Sequence, residues 1–306
     1  MRARANAGYG LRVADPIGAA IEALPPLREV IAAAGLRAEK ALGQNFLLDL
    51  NLLDRIAGLV PLTAGERVFE VGPGPGGLTR ALLKAGAHVV AVERDARAIA
   101  ALQGLAAVAG ARLQLVKGDA LAIEGADLAG EGAHIAANLP YNVATPLLIS
   151  WLTTEAWPPW WRSATLMFQK EVAERIVAGP GTPAYGRLAV LAAFRTRARI
   201  LMRLPARAFT PAPRVESAVV QLLPSPPLLD VPLPALQEVT RLAFGQRRKM
   251  LRQSLKAFLP ALAAAGIDPS RRPETLSPLE FAQLAAAVAP ALPAFHPPLP
   301  VPAAGC

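Results

Sequence analysis

The stretch Glu70-Val71-Gly72-Pro73-Gly74-Pro75-Gly76-Gly77 constrains the fold more than any other part of the chain. It follows a β-branched run at 67–71 and opens a helix-period segment at 77–85. Four glycines in six positions allow a tight turn and close approach of a ligand to the backbone. Such a turn is the start of a strand–helix crossover, the unit from which parallel sheets are built. Gly72, Gly74 and Gly77 also satisfy G-x-G-x-x-G. That spacing alone is weak evidence, since a nicotinamide-dependent dehydrogenase presents it too, and a turn without any ligand is the plainer alternative.

Further strands are predicted at 88–93, 113–117, 134–138, 164–169, 188–194 and 217–222, with helices at 96–107, 144–151 and 170–177. The alternation predicts a doubly wound α/β fold with a mostly parallel seven-stranded sheet. Five prolines fall between Pro224 and Pro234, and helix-period segments take over afterwards. A boundary is expected there, dividing an α/β domain over 23–226 from a small all-helical domain over 227–289. The Pro/Ala-rich tail at 290–306 and an N-terminal extension over 1–22 are expected to be disordered. Arg2, Arg4 and Arg12 weakly resemble a transit segment, but Asp15 and Glu22 count against it.

With 306 residues, 53% of them hydrophobic and 18% charged, the chain can bury a sizeable core. A net charge of +9 favours a polyanionic partner, nucleic acid ahead of a membrane surface. The single cysteine, Cys306, provides neither a disulfide framework nor a thiolate metal site, so no metal is expected. No apolar run approaches the roughly 18 residues that cross a bilayer. A cytoplasmic protein is expected.

Chemistry enters with three acidic or amide positions after successive strands. Glu93 ends its strand twenty-one residues after Gly72, where a carboxylate can accept both hydroxyls of a ribose. Asp95 reads as the cap of the next helix. Asp119, which alone would read as a turn residue, could accept from an adenine amine. Asn138-Leu139-Pro140-Tyr141 then separates the cofactors. The lone pair of adenine N6 is delocalised into the ring. If the Asn138 amide oxygen and the Leu139 carbonyl each accept an N–H, the nitrogen is drawn toward tetrahedral geometry and can attack a methyl group. Tyr141 can stack on an extruded base. The four elements together point to S-adenosyl-L-methionine and a class I, Rossmann-like methyltransferase.

Here the chain resembles the bacterial small-subunit ribosomal RNA adenine dimethyltransferases of the KsgA/RsmA type, from about Leu24 to Ala285. The matching segments are Leu42-Gly43-Gln44-Asn45-Phe46-Leu47, 70–79, 92–95, 118–121, 138–146, 209–219 and Phe244-Gly245-Gln246-Arg247-Arg248-Lys249-Met250-Leu251. The resemblance implies that Asn45 and Leu47 join Gly72, Gly74, Glu93, Asp119 and Asn138 around the cofactor. It implies that Phe209 is a second stacking aromatic opposite Tyr141. It also implies dimethylation of two adjacent adenosines near the 3′ end of the small-subunit RNA, within the 30S particle or its precursor, by an enzyme expected to be a monomer.

Arg241, Arg248, Arg252 and Lys256 fall on one face of a helical projection, and with Arg247 and Lys249 they predict an RNA-docking face. Arg37, Lys40, Arg195, Arg197, Arg199 and Arg203 are candidates to extend it. Three competitors remain: a large-subunit adenine methyltransferase of the macrolide-resistance type, a nicotinamide oxidoreductase, and a non-catalytic assembly or transcription factor on the same fold.

Overall fold

The computed structural model describes residues 16–36 and 45–291. The cations Arg37 and Lys40, the motif residues Leu42-Gly43-Gln44, most of the expected N-terminal extension and the tail from residue 292 lie outside the described residues.

Pro16–Glu22 (α1) and Leu27–Ala33 (α2) precede the short strand Phe46–Leu47 (β1). The extension expected over 1–22 is therefore corrected in its described part. Residues 16–22 are helical because one side chain anchors them: Ile21 is 2% exposed, and α1 packs against the helix at Gly77–Lys84, whose Lys84 reaches Glu22 at 3.5 Å. Two isoleucines within seven residues make too short a periodicity to read from sequence.

Asp49 caps Leu50–Ala57 (α3) by accepting from the Leu52 amide at 3.1 Å. The alternating core follows: Arg67–Val71 (β2), Gly77–Lys84 (α4), His88–Glu93 (β3), Ala96–Ala109 (α5), Leu113–Lys117 (β4), Gly125–Ala129 (α6), Ala133–Ala137 (β5), Tyr141–Leu152 (α7) and Trp161–Gln169 (β6). Asp95 caps α5 as expected, accepting from the Arg97 amide at 2.9 Å. Val68, Phe69, Val90, Ala91, Val92, Ile135 and Ala136 are all buried, the continuous apolar pattern of strands covered on both faces. The buried His134 is satisfied: it meets Ser163 Oγ at 2.8 Å through Nδ1 and Glu66 Oε2 at 3.1 Å through Nε2.

Lys170–Ile176 (α8), Arg187–Arg195 (α9), Thr196–Leu204 (β7), Phe209–Thr210 (β8) and Ser217–Pro224 (β9) complete the α/β part. The seven-stranded sheet has the order β4-β3-β2-β5-β6-β9-β7. β2 is parallel to both β3 and β5, β3 to β4, and β5 to β6. Two strands, β1 and β8, form a separate antiparallel ladder.

The predicted strand at 188–194 is a helix, α9. Its run Leu188-Ala189-Val190-Leu191-Ala192-Ala193-Phe194 is too short for its period to decide, and three alanines favour the helix. The strand actually present, β7, was hidden by exposed Arg197, Arg199 and Arg203, which break the apolar alternation. An edge strand tolerates such charges and is protected by them.

The chain divides into two compact units. The first comprises Met1–Leu147, Trp160–Met167 and Leu204–Glu216, and the second Leu148–Pro159, Phe168–Arg203 and Ser217–Cys306. In the second, Leu233–Gly245 (α10), Leu251–Ser254 (α11), Leu259–Ala264 (α12) and Pro278–Val288 (α13) follow the proline cluster. Ser277 and Glu280 form a capping box at the start of α13. These helices do not close a core alone. Leu236, Val239, Phe281 and Leu284 share one with Tyr185, Ala189, Val190 and Phe194. The prolines thus mark a change of element type, whereas the compact units follow packing. Among the described residues no helix is long and apolar enough to cross a membrane.

If residues 16–22 are anchored as described, Ile21→Ala should lower unfolding free energy by about 2 to 5 kcal/mol, the cost of a core truncation. Urea denaturation checks this; an unchanged midpoint would return the segment to an unstructured extension.

Candidate active site

The turn from β2 into α4 is shaped by backbone that only glycine adopts easily. Gly72 and Gly74 have φ of +67° and +55°, in the left-handed region. Gly77 is required by proximity: a Cβ there would lie 2.9 Å from Leu53 Cδ1 and 3.4 Å from the Leu47 carbonyl oxygen. The turn borders a cavity of about 200 Å³, and all its lining residues belong to the first compact unit. A Cβ at Gly72 or Gly74 would meet no backbone within 4 Å, only Leu139 Cδ2 at 3.6 Å or Phe46 Cε1 at 3.7 Å, so the loop is open on its ligand side.

Every residue expected around the cofactor or the target base lines this cavity: Asn45, Leu47, Gly72, Gly74, Glu93, Asp119, Asn138, Leu139, Tyr141 and Phe209. Glu93 is held by two main-chain donors, the Gly74 amide to Oε2 at 3.2 Å and the Asp95 amide to Oε1 at 2.9 Å. The carboxylate is therefore oriented before any ligand arrives, with lone pairs left for a diol. Asp119 accepts from the Leu121 amide through Oδ1 at 3.0 Å, so it does serve as a turn residue, and Oδ2 remains for a ligand.

Asn138 follows β5 and is half-buried; Leu139 is buried, and Tyr141 is the first residue of α7. The helix starts three residues before the predicted 144, because Val143 and Ala144 donate to the Pro140 carbonyl at 3.1 and 3.3 Å. Phe209 is brought in from far along the chain by the β1–β8 ladder, which pairs it with Leu47 and pairs Thr210 with Phe46. One two-residue ladder thus joins an expected cofactor residue to an expected base-stacking residue.

The lining residues that were not expected as site residues include Phe46, Leu121 and Glu70. Leu121 is 52% exposed, an apolar surface that sequence cannot place. Glu70 did carry a signal, an acid inside the apolar strand Arg67-Val68-Phe69-Glu70-Val71. It is 1% exposed, and its Oε2 has no hydrogen-bond partner among the described residues. Burial raises its pKa to about 8; the Thr79 hydroxyl opposes this in part, and the Glu93 carboxylate adds to it.

The basic segment is not a single helix face. α10 ends at Gly245, Gln246 leaves helical geometry, and α11 restarts at Leu251. Arg241 is held bidentately by Glu238, with N···O distances of 2.7 and 2.6 Å. Arg247 donates to the Pro183 carbonyl at 2.6 Å. Arg248, Lys249, Arg252 and Lys256 are exposed. Of these, Arg248, Lys249 and Lys256 form no ion pair among the described residues, while Arg252 helps lower the pKa of Asp268. Arg195 does not belong to a surface: it is 8% exposed, donates to the Leu152 and Thr154 carbonyls, and lies over Trp157. Arg199 bonds the Gln221 side chain, and Arg203 stands 3.8 Å from Glu174.

A parallel sheet with a glycine turn after its first core strand, followed by carboxylates after the next two and an Asn-Leu-Pro-Tyr segment after β5, defines a class I methyltransferase. The match to known proteins makes this narrower. Residues 35–289 fit the model of the family described as ribosomal RNA adenine dimethylase, and the chain belongs to that family. It is 57% identical to the ribosomal RNA small subunit methyltransferase A of Dinoroseobacter shibae, over 89% of this chain and 99% of that one. The protein of the same name from Zymomonas mobilis is also 57% identical, over 85% and 95%. Among solved structures, a dimethyladenosine transferase from Plasmodium falciparum superposes with a TM-score of 0.66 at 24% identity, covering 76% of this chain and 94% of that one. The 23S rRNA methyltransferase ErmE gives 0.62 at 25% identity, covering 80% and 100%.

Glu70 gives the unliganded protein a defined pH dependence. Its pKa is raised on folding, so the folded state holds a proton that the unfolded state releases above about pH 4.5. Stability should therefore fall as pH rises from about 4.5, and level off above about 8. Glu70→Gln should remove this component and stabilise the protein at pH 7 by about 3 kcal/mol. Urea unfolding from pH 5 to 8.5 measures it; parallel curves for wild type and variant would contradict the assignment.

Proposed function

We propose that this protein uses S-adenosyl-L-methionine to dimethylate N6 of two adjacent adenosines in the 3′-terminal hairpin loop of small-subunit (16S) ribosomal RNA during ribosome biogenesis. The observation that carries the reading is that Asn138, Leu139, Tyr141 and Phe209 share one cavity with Glu93 and Asp119. The chain's 57% identity to small subunit methyltransferases, against 25% to the 23S enzyme, favours the small subunit over the macrolide-resistance reading.

The residues fit a cationic nucleoside cofactor. The cavity is bordered by three carboxyl groups, Glu70, Glu93 and Asp119, and by one cation, Arg94. That is unfavourable for the pyrophosphate of a nicotinamide dinucleotide and favourable for a sulfonium. Asp119 would take the adenine, Glu93 the ribose, and Gly72, Gly74, Asn45 and Leu47 the remainder. Bound there, S-adenosylmethionine supplies an electrophilic methyl group.

On the acceptor side, the Asn138 side-chain oxygen and the Leu139 carbonyl each accept an N–H from the target amine, aiming its lone pair at the donor. Each bond contributes about 1.5 to 3 kcal/mol as positive charge develops on nitrogen. Orientation for in-line attack contributes further, and no general base is needed before attack. Tyr141 and Phe209 hold the extruded base, at about 1 to 3 kcal/mol per stack. Residues 227–289 dock the RNA through Arg248, Lys249, Arg252 and Lys256. Arg241 and Arg247, already engaged by Glu238 and Pro183, contribute less. The enzyme works in the cytoplasm, as a monomer, on the 30S particle or its precursor, and no metal is required.

Calorimetry with S-adenosylmethionine should show binding that Glu93→Ala weakens by about 1 to 3 kcal/mol; unchanged affinity would sink the ribose assignment. Asn138→Ala should lower the methyl-transfer rate far more than RNA affinity, because phosphate contacts supply most of the binding. Equal losses in both would contradict its role at the reacting nitrogen. For docking, Arg248→Ala combined with Lys249→Ala should reduce the salt slope of small-subunit binding by about 1 to 2 and leave cofactor affinity alone. An unchanged slope would make these cations an ordinary solvated surface.

A further inference from the structure

We propose that the edge strand β7 carries a second phosphate-binding stripe, formed by Arg197, Arg199 and Arg203, which follows an RNA backbone of the small subunit in addition to the cations between Arg248 and Lys256. The inference rests on the ribosomal-RNA reading above.

Alternation along the strand carries the first part. Positions 197, 199 and 203 differ by even steps, so their side chains leave one face of β7, and all three residues are exposed. At about 3.3 Å per residue they span roughly 20 Å, too long for one small anion and suited to a polymer. β7 is the last strand of its sheet, beside β9, and among the described residues no further strand covers its outer side. Arg195 does not join the stripe, because it is turned inward onto the Leu152 and Thr154 carbonyls. The charge of the stripe is poorly compensated. Arg197 forms no ion pair among the described residues. Arg203 meets Glu174 of α8 only at 3.8 Å, beyond the roughly 2.7 to 2.9 Å of a charge-assisted hydrogen bond.

Arg199 carries the second part. Its Nε and Nη2 both donate to Gln221 Oε1 on β9, at 3.2 and 2.9 Å. Gln221 is 3% exposed, so a side chain fixed in the core holds the guanidinium in one orientation. That partner is a neutral amide. It orients the cation without cancelling its charge, and it leaves the rest of the guanidinium's N–H donors for another acceptor. Guarding a sheet edge against strand pairing needs only charge, which lysine supplies as well. It does not account for a guanidinium fixed by a buried amide. Two oxygens of a phosphate, met by a planar fork already in place, do account for it. The partner's charge follows from the rest of the molecule, since a chain of net charge +9 that modifies RNA meets a polyanion in any case.

The test measures binding of the full chain to small ribosomal subunits, and to protein-free small-subunit RNA, across a salt series. Arg197→Ala combined with Arg203→Ala removes two exposed cations. It should reduce the salt slope by about 1 to 2 and weaken binding several-fold at low salt, with S-adenosylmethionine affinity unchanged. Gln221→Leu keeps every charge and should weaken binding several-fold with the slope unchanged, as should Arg199→Lys, which keeps the charge but loses the fork. An unaltered slope in the double variant, with or without new aggregation, would leave β7 a guarded edge and overturn the proposal. Full affinity in Gln221→Leu would overturn it as well. Losses with whole subunits but none with protein-free RNA would assign the stripe to an acidic protein partner, again overturning it. The double variant decides the matter even if Gln221→Leu fails to fold. Arg248→Ala with Lys249→Ala, run in parallel, separates the two readings: a slope that falls there and not in the β7 variant overturns this proposal alone. Absence of salt-dependent binding of the wild type to small subunits would instead overturn the ribosomal-RNA reading.

Discussion

Parallel pairing of β2 with β3 on one side and β5 on the other determines where chemistry can occur in this protein. Parallel neighbours need crossovers, so the carboxyl ends of β2, β3, β4 and β5 all open at the same edge. The chain runs from β2 through β3 to β4 in one direction, then returns to place β5 on the far side of β2. A crevice forms at that reversal. Gly72, Glu93, Asp119 and Asn138 each sit at or just past one of these four strand ends, so residues spread over 67 positions become one site. The short β1–β8 ladder adds Leu47 and Phe209 from opposite ends of the fold's sequence.

Within that crevice the decisive quantity is charge, not shape. The protein carries +9 overall, yet its cavity is bordered by three carboxyl groups. A net basic surface attracts a polyanion, whereas an acidic interior selects a cation. The two requirements belong to one reaction if a cationic donor modifies a nucleic acid. Glu93 shows the preorganisation involved, since two backbone amides fix its carboxylate in place. Glu70 shows the opposite device, a buried carboxyl whose Oε2 has no partner among the described residues.

Most of the site was legible because its chemistry sits where local sequence dictates local structure. A glycine turn between a strand and a helix is recognisable from eight residues, and Glu93 and Asp119 follow from counting strands. Phe46 and Leu121 were not legible, because exposure and cross-chain pairing decide their roles. Errors in the fold had the same origin. Residues 188–194 form an apolar run equally compatible with both periods, and tertiary packing against the later helices settled it as helix. The arginines of β7 concealed an edge strand. The basic stretch from Arg241 to Lys256 projects as one helix only if the helix continues past Gly245, and it does not, because Gln246 leaves helical geometry. Arg195, a surface cation by residue type, is buried by hydrogen bonds to carbonyls that no local pattern predicts.

The central claim is that this cavity methylates adenine N6 in the small-subunit RNA. The most direct measurement incubates the protein with radiolabelled S-adenosylmethionine and small ribosomal subunits that lack the modification, with large subunits in parallel, and maps the labelled bases. The account predicts label on two adjacent adenosines of the 3′-terminal hairpin loop, up to two methyl groups on each, and none on the large subunit. Label confined to the large subunit, or tight cofactor binding with no transfer to either particle, would contradict it.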